Sequence, residues 1–228
     1  MLTDFIALLF PKTCAACGKS LYKNENSICT YCVYYLPKTN YHLTYDNPVA
    51  KIFWGRVTLH SAASYYSFNK GGKVQQLIHQ LKYNGQKHVG VTIGKLYGDE
   101  LKYSDDFNTI NTVIPVPLHP KKLKKRGYNQ SDFFADGIAQ SMNIHVDNKS
   151  LIRVEESSSQ TKKSRYSRWQ NVESIFNVNN PTEIEGKHLL LVDDVITTGA
   201  TLEACAQTLL KVPNVKLSIA TIAYASGY

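Results

Sequence analysis

The chain has 228 residues, of which 43% are hydrophobic and 19% are charged. This length and composition suffice for one substantial hydrophobic core with a small appendage, and they exclude an intrinsically disordered chain. The formal net charge of +8 is unevenly placed, because residues 49–130 hold thirteen Lys and Arg against four Asp and Glu. Such a region favours a phosphorylated small molecule or nucleic acid as partner, although a solvated basic face has the same composition.

The sequence offers no candidate for a membrane segment. Its longest apolar runs are far shorter than the roughly eighteen residues that a spanning helix requires. The first residues, MLTDFIALLF, contain Asp4 and lack both a basic leader and a small-x-small cleavage site. We therefore expect a cytoplasmic protein without membrane insertion.

The N-terminal part is predicted to form a small module. Residues 1–10 have apolar positions at helical spacing, and Pro11 ends that pattern. A cysteine-rich stretch follows, and residues 38–56, which show no clear period, are predicted to be a linker. We predict a domain boundary near residue 45, which divides the chain into a module over 1–45 and an α/β domain over 46–228.

Four of the five cysteines lie close together in the pattern C-x2-C-x11-C-x2-C. They are Cys14, Cys17, Cys29 and Cys32. Two C-x-x-C turns can direct four thiolates at one tetrahedral ion, and since no position is left for water, we predict a structural zinc site. Iron–sulfur ligation and free or redox-active thiols are the alternatives. Cys205 stands alone in a predicted helix and is expected to be a small buried residue rather than a nucleophile.

The rest of the chain alternates between predicted strands and helices. Strand patterns occur in TLHSAASYYSF, TINTVIPVP, HLLLVDD and VKLSIATIAYA, and helical patterns in GKVQQLIHQLKY, VGVTIGKLYGDEL, SDFFADGIAQSM and GATLEACAQTLLK. The basic stretch LHPKKLKKRGYNQ and the serine-rich residues 157–171 are predicted loops, the second of them exposed. Strands separated by helices indicate a parallel α/β sheet.

The stretch LLLVDDVITTGAT, residues 189–201, carries the strongest functional signal. Its aliphatic run predicts a strand buried on both faces, and Asp193 and Asp194 follow at the carboxyl end, where parallel sheets bind ligands. Residues 197–201 open a helix, so their N–H groups and hydroxyls form a cradle for a phosphate monoester. The carboxylates suit ribose hydroxyls or a hydrated Mg2+. A sugar phosphate satisfies both halves, whereas the P-loop and dinucleotide-binding glycine patterns are absent.

This stretch resembles the thirteen-residue phosphoribosyl pyrophosphate motif of type I phosphoribosyltransferases: four hydrophobic residues, two acids, a hydrophobic spacer and T-[TS]-G-x-[TS]. The chain is also similar to the ComF family, which includes the GntX group. That similarity covers the cysteine module, LIHQLKYNGQ, IPVPLHPKKLKKRGYNQ and the series Gln160, Arg168, Asn171 and Phe176. It implies a type I phosphoribosyltransferase-like parallel sheet flanked by helices, preceded by a zinc module. It also implies a role in DNA uptake and natural transformation, or competence.

The resemblance assigns roles to individual residues. Asp193 and Asp194 would be the catalytic pair, holding the ribose diol or its Mg2+. The phosphoribosyl group would be bound by Val195, Ile196, Thr197, Thr198, Gly199, Ala200 and Thr201. The pyrophosphate would be bound by Pro117, Leu118, His119, Lys121, Arg126 and Arg168. For the lysines of this region, a solvated patch or a DNA-tracking surface is an equal alternative.

Two functions remain open at this point. The first is a Mg2+-dependent phosphoribosyltransferase, in which a nucleophile displaces pyrophosphate from C1 of phosphoribosyl pyrophosphate. The second is a non-catalytic competence factor that binds single-stranded DNA, senses phosphoribosyl pyrophosphate or a nucleotide-like molecule, and works with a DNA-uptake helicase. The basic region with its interleaved aromatic residues suits the second function. Nothing in the sequence identifies an acceptor.

Overall fold

The structure is a computed structural model, and it describes residues 11–154 and 175–226. The helix predicted over residues 1–10 and the loop predicted over residues 157–171, which includes Arg168, lie outside the described residues. The two described ranges are joined where they meet, because the N–H of Val154 donates a 2.9 Å hydrogen bond to the carbonyl of Ile175.

A parallel sheet of five strands forms the centre of the described protein, in the order β1-β7-β6-β2-β3. Its strands are β1 (Ser61–Ser67), β2 (Thr112–Pro115), β3 (His145–Val146), β6 (His188–Ile196) and β7 (Lys216–Tyr224). A separate antiparallel pair consists of β4 (Leu151–Arg153) and β5 (Phe176–Val178). The parallel α/β class and the four predicted strands are confirmed. Strands β3, β4 and β5 are too short to produce a readable period.

Eight α-helices lie within the described ranges. They are α1 (Thr30–Tyr35), α2 (Pro48–Lys51), α3 (Lys73–Tyr83), α4 (Lys87–Leu101), α5 (Pro120–Arg126), α6 (Gln130–Met142), α7 (Pro181–Ile184) and α8 (Ala200–Leu209). The four helices predicted from apolar periodicity correspond to α3, α4, α6 and α8. Among these described residues, no helix combines the length and apolar character needed to cross a bilayer.

Strand β6 lies in the middle of the protein because its sequence is apolar on both faces. Leu189, Leu190, Leu191 and Val192 are all 0% exposed. Side chains alternate along a strand, so Leu190 and Val192 pack with α3, α4 and α6, while Leu189 and Leu191 pack with α2, α7 and α8. His188 begins the strand, and the next polar side chains in β6 are the two acids towards its carboxyl end.

Helices α4 and α6 approach each other closely through glycines, and this contact fixes α6 beside the sheet. A Cβ at Gly94 would lie 2.3 Å from the carbonyl oxygen of Phe134, and one at Gly137 would lie 2.3 Å from that of Val91. Any side chain at either glycine would push the helices apart. The first turn of α6 carries Ser131 and brings it against β6.

One predicted loop is partly helical, because residues 120–126 of the basic stretch form α5. Pro120 occupies the first turn, where a missing N–H removes no helical hydrogen bond. His119 caps the helix by accepting a 3.1 Å hydrogen bond at Nδ1 from the N–H of Lys121. Gly127, at φ 79°, ends it. The capping residues thus outweigh the repulsion among clustered lysines.

The linker predicted over residues 38–56 packs on the sheet instead of connecting two bodies loosely. Asn47 accepts 3.0 Å hydrogen bonds at Oδ1 from the N–H groups of Val49 and Ala50, and donates a 2.9 Å bond from Nδ2 to the carbonyl of Ala62 in β1. Phe53 is 1% exposed. The boundary near residue 45 stays a prediction.

Candidate functional site

The four clustered cysteines come together in space as their spacing predicts. Their sulfur atoms all lie within 4.8 Å of one another, and the Sγ atoms of Cys17 and Cys29 are 3.8 Å apart. Four thiolates around a tetrahedral zinc, each at about 2.3 Å, are themselves about 3.8 Å apart. The cluster therefore has the dimensions to hold a metal ion such as zinc.

The local backbone explains how the first cysteine pair is presented. Gly18 lies at φ 73°, in the left-handed region that glycine adopts without strain. Its N–H donates a 2.8 Å hydrogen bond to the carbonyl of Cys14, which closes the turn. The second pair lies at the start of α1, where the N–H of Cys29 donates a 3.3 Å bond to the Cys14 sulfur. Cys14, Cys29 and Cys32 are buried, and Cys17 is partly exposed.

At the other candidate site, Asp193 and Asp194 stand side by side near the carboxyl end of β6. Asp193 is held through one oxygen: Oδ1 accepts a 3.0 Å hydrogen bond from the hydroxyl of Ser131 and a 2.8 Å bond from the N–H of Asp194. Asp194 is 5% exposed. Its Oδ1 lies 2.8 Å from the Nζ of Lys82, near the end of α3, and its Oδ2 is buried without a hydrogen-bond partner.

The electrostatics of this acid pair follow from its burial. Removal from water raises the pKa of Asp193 to about 7, and the adjacent charge of Asp194 adds to the rise. The two hydrogen bonds at Asp193 and the ammonium of Lys82 oppose that rise. Near neutral pH, Asp193 is therefore about half protonated. Lys82 balances the charge of Asp194.

The loop that follows β6 is shaped by Gly199. This residue lies at φ 76°, which favours glycine, and it is buried between Thr198 and Ala200, which are exposed. A Cβ there would also lie 2.6 Å from Cγ2 of Ile52 and 3.3 Å from a ring carbon of Phe53. Helix α8 begins at Ala200 without a side-chain cap, so its first N–H groups are available to an anion.

Arg56 places a positive charge beside this loop. Its Nη1 donates a 3.4 Å hydrogen bond to the carbonyl of Thr198, and its Nη2 forms an ion pair with Glu203 in the first turn of α8. The Arg56 side chain is 43% exposed. It therefore lies at the edge of the loop, within reach of an anionic ligand.

The segment predicted to contact pyrophosphate runs along the same edge of the sheet. The N–H of Val116 donates a 2.9 Å hydrogen bond to the carbonyl of Val192, so Pro117, Leu118 and His119 continue from β2 next to the acid pair. Lys121 is exposed on α5. Arg126 is engaged elsewhere: its guanidinium donates to Gln130 and lies 5.5 Å from the ring centroid of Tyr83.

Sequence reasoning missed three residues that the fold brings to this edge: Arg56, Lys82 and Ser131. Each belongs to an element remote in sequence from β6, so no spacing pattern connects it to the acid pair. Lys82 does lie within LIHQLKYNGQ, one of the stretches that resemble the ComF family. That resemblance was the sequence signal available for Lys82, but it did not assign this residue a role.

Comparisons with known proteins give a family match and named relatives. Residues 131–227 match the phosphoribosyl transferase domain family. The chain is 27% identical over 202 residues to the DNA utilization protein YhgH of Shigella flexneri, across 87% of this chain and 84% of that protein. It is 26% identical over 209 residues to competence protein ComFC of Bacillus subtilis, across 88% of this chain and 78% of that protein.

Among solved structures, the chain is similar to the glutamine phosphoribosylpyrophosphate amidotransferase of B. subtilis in complex with ADP and GMP. The TM-score is 0.42 at 20% identity, over 62% of this chain and 30% of that one. The matched domain begins at Ser131. The cysteine cluster, Arg56 and Lys82 therefore belong to the part of the chain that precedes it.

Proposed function

We propose that this chain binds phosphoribosyl pyrophosphate at the carboxyl edge of its sheet. The chain is a homologue of the ComF-type competence proteins, and its residues 131–227 match the phosphoribosyl transferase domain family. The observation that carries the proposal is the junction of β6 and α8. Two adjacent carboxylates, one with an unpartnered buried oxygen, stand directly before a glycine loop with available N–H groups. A ribose 5-phosphate has the complementary arrangement, a diol near one end and a phosphate at the other.

Each half of the ligand has its own set of residues. The diol donates hydrogen bonds to Asp193 and Asp194, and residues 195–201 receive the 5-phosphate through their N–H groups and hydroxyls. The pyrophosphate lies towards residues 117–121, next to the acid pair. Arg168 stays a predicted pyrophosphate contact, and Arg126 would have to leave Gln130 to become one.

The oxygen donors at this edge fit a hard divalent cation, which takes carboxylate, hydroxyl and phosphate oxygens. Asp193 and Asp194 are the residues that would hold it, together with ligand oxygens. When bound, Mg2+ would neutralise the charge that develops on the pyrophosphate. Near neutral pH, the protonation of Asp193 and the pairing of Asp194 with Lys82 reduce the negative charge that the protein itself offers, so the cation is expected to enter with the ligand.

Phosphoribosyl transfer at this site would need no side-chain nucleophile. A nitrogen nucleophile of the acceptor would form a bond to C1 as the bond from C1 to the pyrophosphate oxygen breaks, and pyrophosphate would leave with the bonding electrons. The role of the chain is to hold the diol and the 5-phosphate in place while basic residues stabilise the leaving group. Cys205, buried in α8, takes no part in this arrangement.

Ligand binding and turnover are tested separately. Calorimetric titration of the full-length protein with phosphoribosyl pyrophosphate and Mg2+ should give saturable binding, which EDTA weakens. Release of pyrophosphate should then be assayed with purine bases, pyrimidine bases and single-stranded DNA as acceptors. Absence of binding would refute the proposal. Binding without release of pyrophosphate in the presence of any acceptor would indicate that the protein senses the ligand and does not transfer its phosphoribosyl group.

The relatives named for DNA utilization and competence support a proposed role in DNA uptake. Single-stranded DNA and a DNA-uptake helicase are the partners that the sequence predicts for that role. The observation that favours single-stranded DNA is helix α5. Lys121, Lys122, Lys124 and Lys125 are all exposed, and none forms an ion pair within the described residues. Four free ammonium groups on one short helix are suited to tracking a phosphate backbone.

Replacing these four lysines of α5 by Gln should weaken binding of single-stranded DNA and lower its salt dependence, by about 2 to 3 in the slope of log K against log salt. Fluorescence anisotropy across a salt series measures both quantities. The control carries four Lys-to-Gln changes at exposed positions away from α5: Lys12, Lys95, Lys149 and Lys211. Equal losses of affinity in both variants would show that the effect depends only on net charge. That result would contradict a specific role for α5.

A further inference from the structure

Lys82 reaches the acid pair from outside the matched phosphoribosyl transferase domain. It is the penultimate residue of α3, a helix that is buried through Val74, Leu77, Ile78 and Leu81. Its side chain is only 21% exposed, and its Nζ lies 2.8 Å from Oδ1 of Asp194. A long, partly buried lysine loses conformational freedom in this position. The apolar anchoring of α3 offsets that cost and holds the ammonium at the site.

The ammonium of Lys82 still has hydrogen-bonding capacity. It carries three N–H donors, and within the described residues its one ion-pair partner is Asp194. The Oδ2 oxygen of the same carboxylate is buried and has no hydrogen-bond partner. The contact between α3 and β6 is thus incomplete on both sides: donors remain on the lysine and an acceptor remains on the aspartate.

We propose that Lys82 is a specificity-determining residue that selects ligands with an anionic group on C1 of the ribose. This inference rests on the proposed function, in which Asp194 accepts a hydrogen bond from the ribose diol. The diol includes the hydroxyl on C2, and C2 is bonded to C1. An ammonium that touches the carboxylate holding the diol therefore lies beside the substituent on C1, where its remaining N–H groups can donate to a phosphate oxygen.

The arrangement gives Lys82 two partners in the liganded site, Asp194 on one side and the C1 phosphate on the other. Phosphoribosyl pyrophosphate supplies the second partner, and ribose 5-phosphate does not. Both ligands use the diol and the 5-phosphate equally. The contribution of Lys82 thus appears in the ratio of the two affinities rather than in either alone.

The test compares these two ligands on four forms of the full-length protein, by calorimetry with Mg2+ in excess. Lys82→Met removes the charge and Lys82→Arg retains it. The control is Lys95→Met on α4, whose side chain is exposed. We expect Lys82→Met to weaken binding of phosphoribosyl pyrophosphate by about 10- to 100-fold and that of ribose 5-phosphate by less than about threefold. Lys82→Arg should restore most of the preference, and Lys95→Met should equal the wild type.

Equal losses for both ligands in Lys82→Met, or no loss for either, would overturn the inference while the proposed function stands. Failure of the wild type to bind either ligand would refute the proposed function itself, and the inference with it. Lys82→Gln, which keeps an N–H donor for Asp194, serves as the second variant if thermal melting shows that Lys82→Met is poorly folded.

Discussion

Replacing Asp193 by Asn is expected to abolish most of the pH dependence of phosphoribosyl pyrophosphate binding and to weaken the binding itself. In the wild type, burial raises the pKa of Asp193 to about 7. The ionised carboxylate accepts the diol hydrogen bond, so affinity should rise as pH increases through about 7 and level off above it. Between pH 6 and pH 8 the ionised fraction changes by about tenfold, and the affinity should change by a similar factor.

The Asn side chain keeps the local fold and removes only the charge. Its oxygen can still accept from the hydroxyl of Ser131 and the N–H of Asp194, which are the two bonds that hold Asp193. Loss of a charged acceptor should weaken binding at pH 8 by about 10- to 100-fold. The ligand has ionisations of its own, so the informative quantity is the ratio of wild-type to variant affinity at each pH.

Asp136→Asn is the matched control, because burial also raises the pKa of Asp136 in α6, and Asp136 forms no hydrogen bond or ion pair with the acid pair within the described residues. Its affinity ratio to the wild type should stay near one at every pH. If the ratio for Asp193→Asn is also independent of pH, Asp193 does not titrate in the way proposed. Asp194→Asn is a poorer probe, since it leaves Lys82 without its counter-ion and costs stability as well as binding.

The parts of the fold that the sequence predicted are those with a strong local signal. The aliphatic run of β6 predicted a strand buried on both faces, and this placed the two following acids at the carboxyl end of the strand. The turn of Gly199 and the paired C-x-x-C turns are likewise local. Each of these features is determined by neighbours within a few residues, so a pattern read along the chain finds it.

The parts that the sequence did not predict depend on contacts between distant segments. Lys82 meets Asp194 because α3 packs against the sheet, and Ser131 meets Asp193 because glycines let α6 approach α4. Arg56 reaches the glycine loop because Phe53 anchors the preceding stretch against it. Basic composition indicated a loop over residues 120–126, whereas Pro120 and the His119 cap produced a helix. Tertiary packing and capping decided these cases over composition.

Replacing Cys17 by Ser is expected to abolish zinc binding at the cysteine cluster and to unfold the cysteine module. Cys17 is the most exposed of the four cysteines, so the change removes a ligand with little loss of packing. Structural zinc contributes about 10–16 kcal/mol to the folding of small zinc modules, and losing one thiolate of four should cost several kcal/mol of that. Metal analysis of the purified protein should show about one zinc per chain in the wild type and well below one in the variant.

The control for this experiment is Cys205→Ala, which removes a fully buried cysteine outside the cluster. It should retain the wild-type zinc content and lose only modest thermal stability. Full zinc content in Cys17→Ser would show that the cluster does not use this residue as a ligand. If metal analysis found iron, with the absorption of an iron–sulfur cluster, the cysteines would bind that cluster instead of zinc.

Loss of the metal should also weaken ligand binding, although no cysteine lies at the acid pair. The module is joined to β1 by a backbone hydrogen bond of 3.0 Å from Thr39 to Tyr65. Its buried cysteines share one hydrophobic cluster with Val74 and Leu77 of α3, the helix that carries Lys82. Unfolding the module exposes that face of α3 and frees Lys82 from its fixed position. Cys17→Ser should therefore lose preference for phosphoribosyl pyrophosphate over ribose 5-phosphate, in Mg2+-replete buffer, whereas a module that folds independently would leave that preference unchanged.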